Sequence, residues 1–353
     1  MDRKSVRFLL FTPLPLAYPN LFILEELPMK TVKTHRSVCL ILLVLVLALS
    51  SVLPLASCGT KTKYTIGICQ LTTHDALDAA TKGFQDAVIA GLGKENVTFD
   101  PQNAAGDTQA CTTIVNSFVS KKVDLIMANA TSALQAAYNA TETIPILGTS
   151  VTEYGVALGL EDFNGTVGGN VSGTSDLAPL TEQADMLMEL SPNAKKVGLL
   201  YCSAEPNSEY QVKVVEEYLT GKGLTCTRYS FSDSNDVISV TTTAANDSDV
   251  IYVPTDNTAA TCAEAIGGVV RPAKVPVIAG ESGICNACGV ATLAISYYDL
   301  GYKTGEMAVK ILKGEADISE MPIEYASATK QYNPDVCAEL GITPPADYKK
   351  IGE

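Results

Sequence analysis

The chain has 353 residues, and its 39 Asp and Glu outnumber 25 Lys and Arg to give a net charge of −14. Such an acidic balance argues against a nucleic-acid partner, which needs a positive excess to meet phosphates, and is what keeps an exported protein soluble. The length exceeds what one compact core usually holds, so two domains are expected.

Residues 1–28 stand apart from the rest of the chain. Met29 opens a basic region of its own with Lys30, Lys33 and Arg36, and the codons of Glu25 and Glu26 can spell a purine-rich ribosome-binding site. We read 1–28 as a leader upstream of the true start and 29–57 as a signal peptide. Its apolar run, residues 38–49, is too short to span a bilayer in the usual way. The run leads to Leu55-Ala56-Ser57-Cys58 and then Gly59, the pattern of a bacterial lipoprotein signal. Cys58 is therefore the expected site of lipid attachment, and the mature chain is expected outside the cytoplasm, anchored to the cell membrane.

From Tyr64 onward, short β-branched apolar runs alternate with amphipathic stretches, which is the signature of parallel strands joined by crossover helices. Strands are predicted over 64–69, 97–101, 124–128, 144–147, 196–202, 225–230, 249–253, 275–279 and 290–295. A helix is predicted over 75–90, where Leu77, Ala80, Phe84 and Val88 share a face while Asp75 and Asp78 oppose the positive end of the helix dipole. Gly91 and Gly93 end it. A second set of strands starts after Ser191-Pro192-Asn193, so two similar halves lie in tandem. The Gly-, Asn- and Ser-rich stretch 165–173 reads as a hinge, residues 300–312 as a helix returning to the first half, and the region near 320–323 as a further crossing. The expected class is α/β, with two doubly wound parallel-sheet lobes joined by three crossings. The first lobe comprises 60–172 plus 296–320 and the second 173–295 plus 321–353.

Ligands of open parallel sheets bind beyond the carboxyl ends of the strands. In the first half those positions hold Gln70 and His74, then Thr131 and Ser132, then Thr149 and Ser150. In the second they hold Ser203, Glu205, Asn207, then Thr255, Asp256, Asn257, then Glu281. Hydroxyls and helix-start N–H groups suit an anion, and carboxylates suit an ammonium, so a free amino acid fits the asymmetry. Any one of these residues alone also fits simple helix capping. Beyond residue 57 the only arginines are Arg228 and Arg271, neither at a predicted cleft loop, which disfavours phosphates and dicarboxylates. Aromatic contacts could come from Tyr154, Phe163, Tyr201, Tyr297 or Tyr298.

Apart from Cys39 and Cys58, eight cysteines remain, and spacing does not assign their pairing. Cys285-x-x-Cys288 has no second such pair, and His74 is the only histidine beyond residue 57, so no zinc site is expected. The pair reads as a local disulfide, a redox pair or small buried residues. Neither Gly-x-Ser-x-Gly nor a Gly-Lys-Ser/Thr loop is present, so neither catalysis nor a cofactor is expected.

Several segments together resemble a known family: Gln70-Leu71-Thr72-Thr73-His74-Asp75-Ala76-Leu77-Asp78, Pro145-Ile146-Leu147-Gly148-Thr149-Ser150-Val151-Thr152, Pro254-Thr255-Asp256-Asn257-Thr258, Val290-Ala291-Thr292-Leu293, and Ser296-Tyr297-Tyr298-Asp299-Leu300-Gly301-Tyr302. They are similar to substrate-binding lipoproteins of ABC importers with the type I periplasmic-binding fold, in the branch associated with tryptophan and tyrosine uptake. The resemblance implies a cleft that captures an amino acid, aromatic by that branch, and passes it to a membrane permease driven by a separate ATPase. It further implies that Thr131, Ser132, Thr149 and Ser150 hold the carboxylate and Asp256 the ammonium, with Gln70, His74, Ser203, Asn207, Asn257 and Glu281 as further contacts. Cys285 to Cys288 departs from the glycine-rich sequence of relatives. An alternative within the same fold is a ligand-sensing lipoprotein that docks on a signalling receptor.

Overall fold

Two parallel sheets carry the fold, and the computed structural model describes them within residues 63–352. The expected leader 1–28, signal 29–57 and lipid site Cys58 lie outside the described residues. The first half supplies β1 (Tyr64–Gln70), β2 (Val97–Asn103), β3 (Leu125–Asn129), β4 (Ile146–Val151) and β5 (Val171–Ser175). The second supplies β6 (Lys196–Cys202), β7 (Thr225–Phe231), β8 (Val250–Val253), β9 (Val277–Ala279) and β10 (Ala291–Ile295). The tail adds β11 (Glu324–Tyr325), β12 (Ala328–Tyr332) and β13 (Lys349–Lys350). The six-stranded sheet runs β11-β5-β4-β3-β1-β2 and the seven-stranded sheet β13-β12-β10-β9-β8-β6-β7. Five strands of each half thus share one order, which makes the halves tandem copies of a doubly wound unit. Among the described strands only the β10–β12 pair is antiparallel; the others are parallel, as crossover helices require.

Central strands are buried on both faces because helices cover both: β3 and β4 are wholly buried, whereas the edge strands β2 and β7 are largely exposed. On one face of the first sheet Phe118, Ile126, Ile146 and Tyr154 pack together, and on the other Ile66, Phe84, Leu125, Met127 and Met307 do so. The helix Asp75–Leu92 forms as predicted and runs slightly further, ending at Gly93 with φ 85°. It packs against the helix Tyr297–Leu312, which starts three residues earlier than predicted. A Cβ at Gly83 would stand 2.0 Å from the Tyr298 carbonyl oxygen, and one at Gly301 1.9 Å from that of Ala80. The two backbones therefore meet directly, and the tail segment is locked into the first lobe.

The stretch 165–173 is not the hinge that its composition suggested. Its last residues open β5, which pairs with β4 and carries the first sheet to Ser175. The glycine is there for closeness: Gly173 faces Gly148, and a Cβ on either would come within 2.4 Å of the Tyr154 hydroxyl, which donates to the Thr174 carbonyl. Likewise Glu324 and Tyr325 pair with Thr174 and Ser175, so the last crossing falls after Tyr325 rather than at 320–323. The chain passes between sheets after Ser175, between Ile295 and Tyr297, and between Tyr325 and Ala328. Among the described residues no helix is long and apolar enough to cross a membrane.

Candidate functional site

Strand order reverses beside β1 in one sheet and β6 in the other, and the loops at these switch points face each other. Between them lies a narrow cavity. The first lobe and the crossings contribute His74, Leu77, Ser150, Thr152, Asp176 and Tyr297. The second lobe contributes Asn207, Thr255, Asp256, Asn257, Ala260 and Glu281. No lysine or arginine lines it. Both arginines of the described residues are engaged on the surface, Arg228 with Glu209 and Glu216 and Arg271 with Glu339.

The second-lobe wall is built from carboxylates that plug helix N-termini. Asp256 caps the helix Asn257–Thr261, accepting from the Ala259 N–H at 2.7 Å through one oxygen and from the Cys202 N–H at 2.7 Å through the other. Glu281 caps Ser282–Ala287 through the N–H groups of Gly283 and Ile284, at 2.7 and 2.5 Å. Behind the wall Glu205 accepts from the N–H groups of Asn257 and Thr258, from the Asn257 amide at 2.7 Å and from the Thr258 hydroxyl at 2.8 Å. The Asn207 amide bridges Glu205 and the Thr255 carbonyl.

The first-lobe wall is the reverse. His74 precedes the helix Asp75–Leu92 and Ala130 the helix Thr131–Ala140, and neither supplies a side-chain cap. Two buried polar atoms there have no hydrogen-bond partner: Ser150 Oγ, on a residue held at φ 53°, and Asp176 Oδ1. Across the gap His74 Nε2 lies 3.3 Å from Asn257 Oδ1, the direct polar link between the walls.

Burial raises the pKa of every carboxyl in the cavity. Asp256 is pushed up to about 8 by desolvation and by neighbouring Glu205, against the pull of the Ala259 and Cys202 N–H groups. Asp176 is raised by desolvation and Glu281 despite the Tyr297 and Thr152 hydroxyls and its own backbone N–H, and Glu281 by desolvation despite its capping N–H groups and His74. The common cause is desolvation.

Of the residues expected from sequence, His74, Ser150, Asn207, Asp256, Asn257 and Glu281 line the cavity. The others lie elsewhere. Gln70 is held inside the first lobe by Asp78, Thr72 and Thr81. Thr149 joins a hydroxyl chain with Thr174 and Thr304 within the same lobe. Thr131 opens its helix, Ser132 borders a separate groove at the cleft mouth, and exposed Ser203 donates to the Phe231 carbonyl. Thr255 and Tyr297, which the sequence offered only as a strand-end residue and a possible aromatic contact, also line it, and Asp176 and Thr152 are lining residues that the sequence reading did not place at the cleft. Asp176 follows β5 and could be found only by reading 171–175 as a strand. The Cys285 and Cys288 thiols are buried, and every described cysteine is free of disulfide bonds. Among the described residues no three His, Cys, Asp or Glu gather as metal ligands.

The chain matches the family model for ABC transporter substrate binding proteins over residues 65–350. It is 37% identical over 273 residues, 77% of this chain and 79% of the relative, to a tyrosine-binding protein of Clostridioides difficile (strain R20291). Among solved structures, an ABC domain from Streptococcus pneumonia in complex with L-Trp is 31% identical with a TM-score of 0.78. The ligand-free, open structure of a substrate-binding protein with adhesive properties from Clostridium difficile is 38% identical with a TM-score of 0.63. Each covers 82% of this chain and 99% of the other. The more similar sequence superposes less well.

Proposed function

Because the chain belongs to the ABC transporter substrate-binding proteins, a non-enzymatic family, we propose that it captures an aromatic amino acid between its lobes and delivers it to an ABC permease with a separate ATPase. The observation that carries the choice of ligand is the unequal capping of the two walls. Carboxylates fill the second-lobe helix starts, whereas the long helix behind His74 keeps its first N–H groups without a side-chain cap beside the unpaired Ser150 hydroxyl. The second-lobe carboxylates are spent on their own helices, while the first wall keeps uncapped N–H groups and the Ser150 hydroxyl for an anion and the Asp176 carboxyl for a cation, so a zwitterion fits. The relatives support the aromatic class, since one is named for tyrosine and another holds L-Trp. Tyr297 and Leu77 supply apolar lining.

His74, Ser150, Asn207 and Asn257 are the direct contacts in this reading, and closure brings the last two against ligand held by the first lobe. Cys58, at the end of the lipobox-like run, carries the lipid that keeps the protein outside the cytoplasm and beside its permease. A fatty-acid label that is incorporated by the wild type and lost in Cys58→Ser tests the anchor.

A thermal-shift screen of the twenty amino acids tests the ligand. Binding to the folded state alone stabilises it by about 2.7 kcal/mol at a hundred-fold excess over Kd. L-tyrosine or L-tryptophan should give the largest shift. A screen in which no amino acid shifts the midpoint, or in which a sugar does, refutes the reading.

A further inference from the structure

We propose that Asp176, at the first crossing between the lobes, is the carboxylate that receives the ligand's ammonium group, and that Asp256 is not. The assignment rests on the zwitterion reading above and adds the identity of the charge partner. Asp176 follows β5 and is 3% exposed, with its backbone N–H donating to the Val151 carbonyl at 3.3 Å. One carboxyl oxygen accepts from the Tyr297 hydroxyl at 2.9 Å, while the other, Oδ1, is buried with no hydrogen-bond partner, and the residue lines the cavity. A buried acceptor left empty costs free energy, and an ammonium is the group that satisfies it best.

The other carboxylates have no such vacancy. Asp256 spends both oxygens on backbone N–H groups and Glu281 spends both on the start of its helix, so an ammonium would compete with bonds already made. The Asp176 carboxyl also stands on the same wall as the unpaired Ser150 hydroxyl. The amino and carboxylate ends of an α-amino acid are adjacent, so one wall with an empty acceptor and an empty hydroxyl can hold both while the side chain points away. Tyr297 and Asp176 lie on different crossings. Filling the acceptor between them therefore ties ligand to the segments about which the lobes turn.

The test compares two probes by calorimetry, L-tyrosine and 3-(4-hydroxyphenyl)propanoate, which differ only in the ammonium group. The ratio of their dissociation constants reports that group alone, so it is insensitive to a general loss of folded protein. In the wild type the ratio should be large. Asp176→Asn should weaken L-tyrosine roughly 10- to 100-fold and leave the propanoate unchanged or tighter, collapsing the ratio. Asp256→Asn should keep the ratio even where it weakens both probes. A ratio that survives in Asp176→Asn, or collapses in Asp256→Asn alone, overturns the assignment while leaving the amino-acid reading intact. A wild-type protein that binds neither L-tyrosine nor L-tryptophan overturns both.

Discussion

Glu205→Gln alters a residue behind the cavity wall and leaves the lining itself untouched. In the wild type Oε2 accepts from the Asn257 N–H at 3.0 Å and from its amide at 2.7 Å, and Oε1 from the Thr258 N–H and hydroxyl, both at 2.8 Å. An amide nitrogen in either place faces two donors. The less costly placement sets it toward Thr258, whose hydroxyl can turn away, but the Thr258 N–H is then left without an acceptor. Losing one or two charge-assisted bonds at about 1.5–3 kcal/mol each, less the relief of repulsion on Asp256, gives a net loss of about 2–4 kcal/mol. For a protein of this size that is a fall in Tm of about 4–12 °C, measured by calorimetry without ligand. Affinity should fall as well, because Glu205 holds both Asn207 and Asn257 in place. A Tm within about 2 °C of the wild type would show that the cluster is not what braces this wall.

Ser150→Ala removes a hydroxyl that has no partner, so ligand-free stability should hold or rise, whereas amino-acid affinity should fall roughly three- to ten-fold; calorimetry on both states checks this. Gly173→Ala should cost more than about 2 kcal/mol, seen in denaturant unfolding, since its Cβ would sit 2.1 Å from the Gly148 carbonyl oxygen. The pH dependence has a definite sign. Asp176, Asp256 and Glu281 are all raised, so the folded form binds more protons than the unfolded chain, and its stability falls as pH rises from about 4 toward the Asp256 value of about 8. The unfolding midpoint of ligand-free protein should be lower at pH 8.5 than at pH 5.5. A midpoint that does not fall over this range would refute the reading of these carboxyls as buried without a compensating charge.

The architecture was legible because parallel strands buried on both faces write themselves as apolar runs: β6 appears over its predicted span, and most others shift by one to three residues. β5 was hidden for a physical reason. Its place between β4 and β11 demands Gly173 for close approach to Gly148, and glycine in a polar run reads as loop. That one misreading moved the first crossing and concealed Asp176. The second-lobe residues of the site were visible because strand ends carry their helix caps. What composition could not convey is which caps are already spent. Asp256 and Asp176 look equivalent as letters, and only the positions of the Cys202 and Ala259 N–H groups separate them.

The helix Tyr297–Leu312 enters the first lobe from the far end of the chain and lies backbone to backbone against Asp75–Leu92. As the polypeptide emerges from the ribosome and through the export machinery, the second sheet's five parallel strands are complete by Ile295, and β12 and β13 merely extend its edge. The earlier-made lobe must wait. Phe84 and Val88 stay uncovered until Met307 and Val309 arrive, so maturation of the N-terminal half is gated by the last portion to be translated, and premature termination before residue 297 leaves an unsealed, protease-sensitive product.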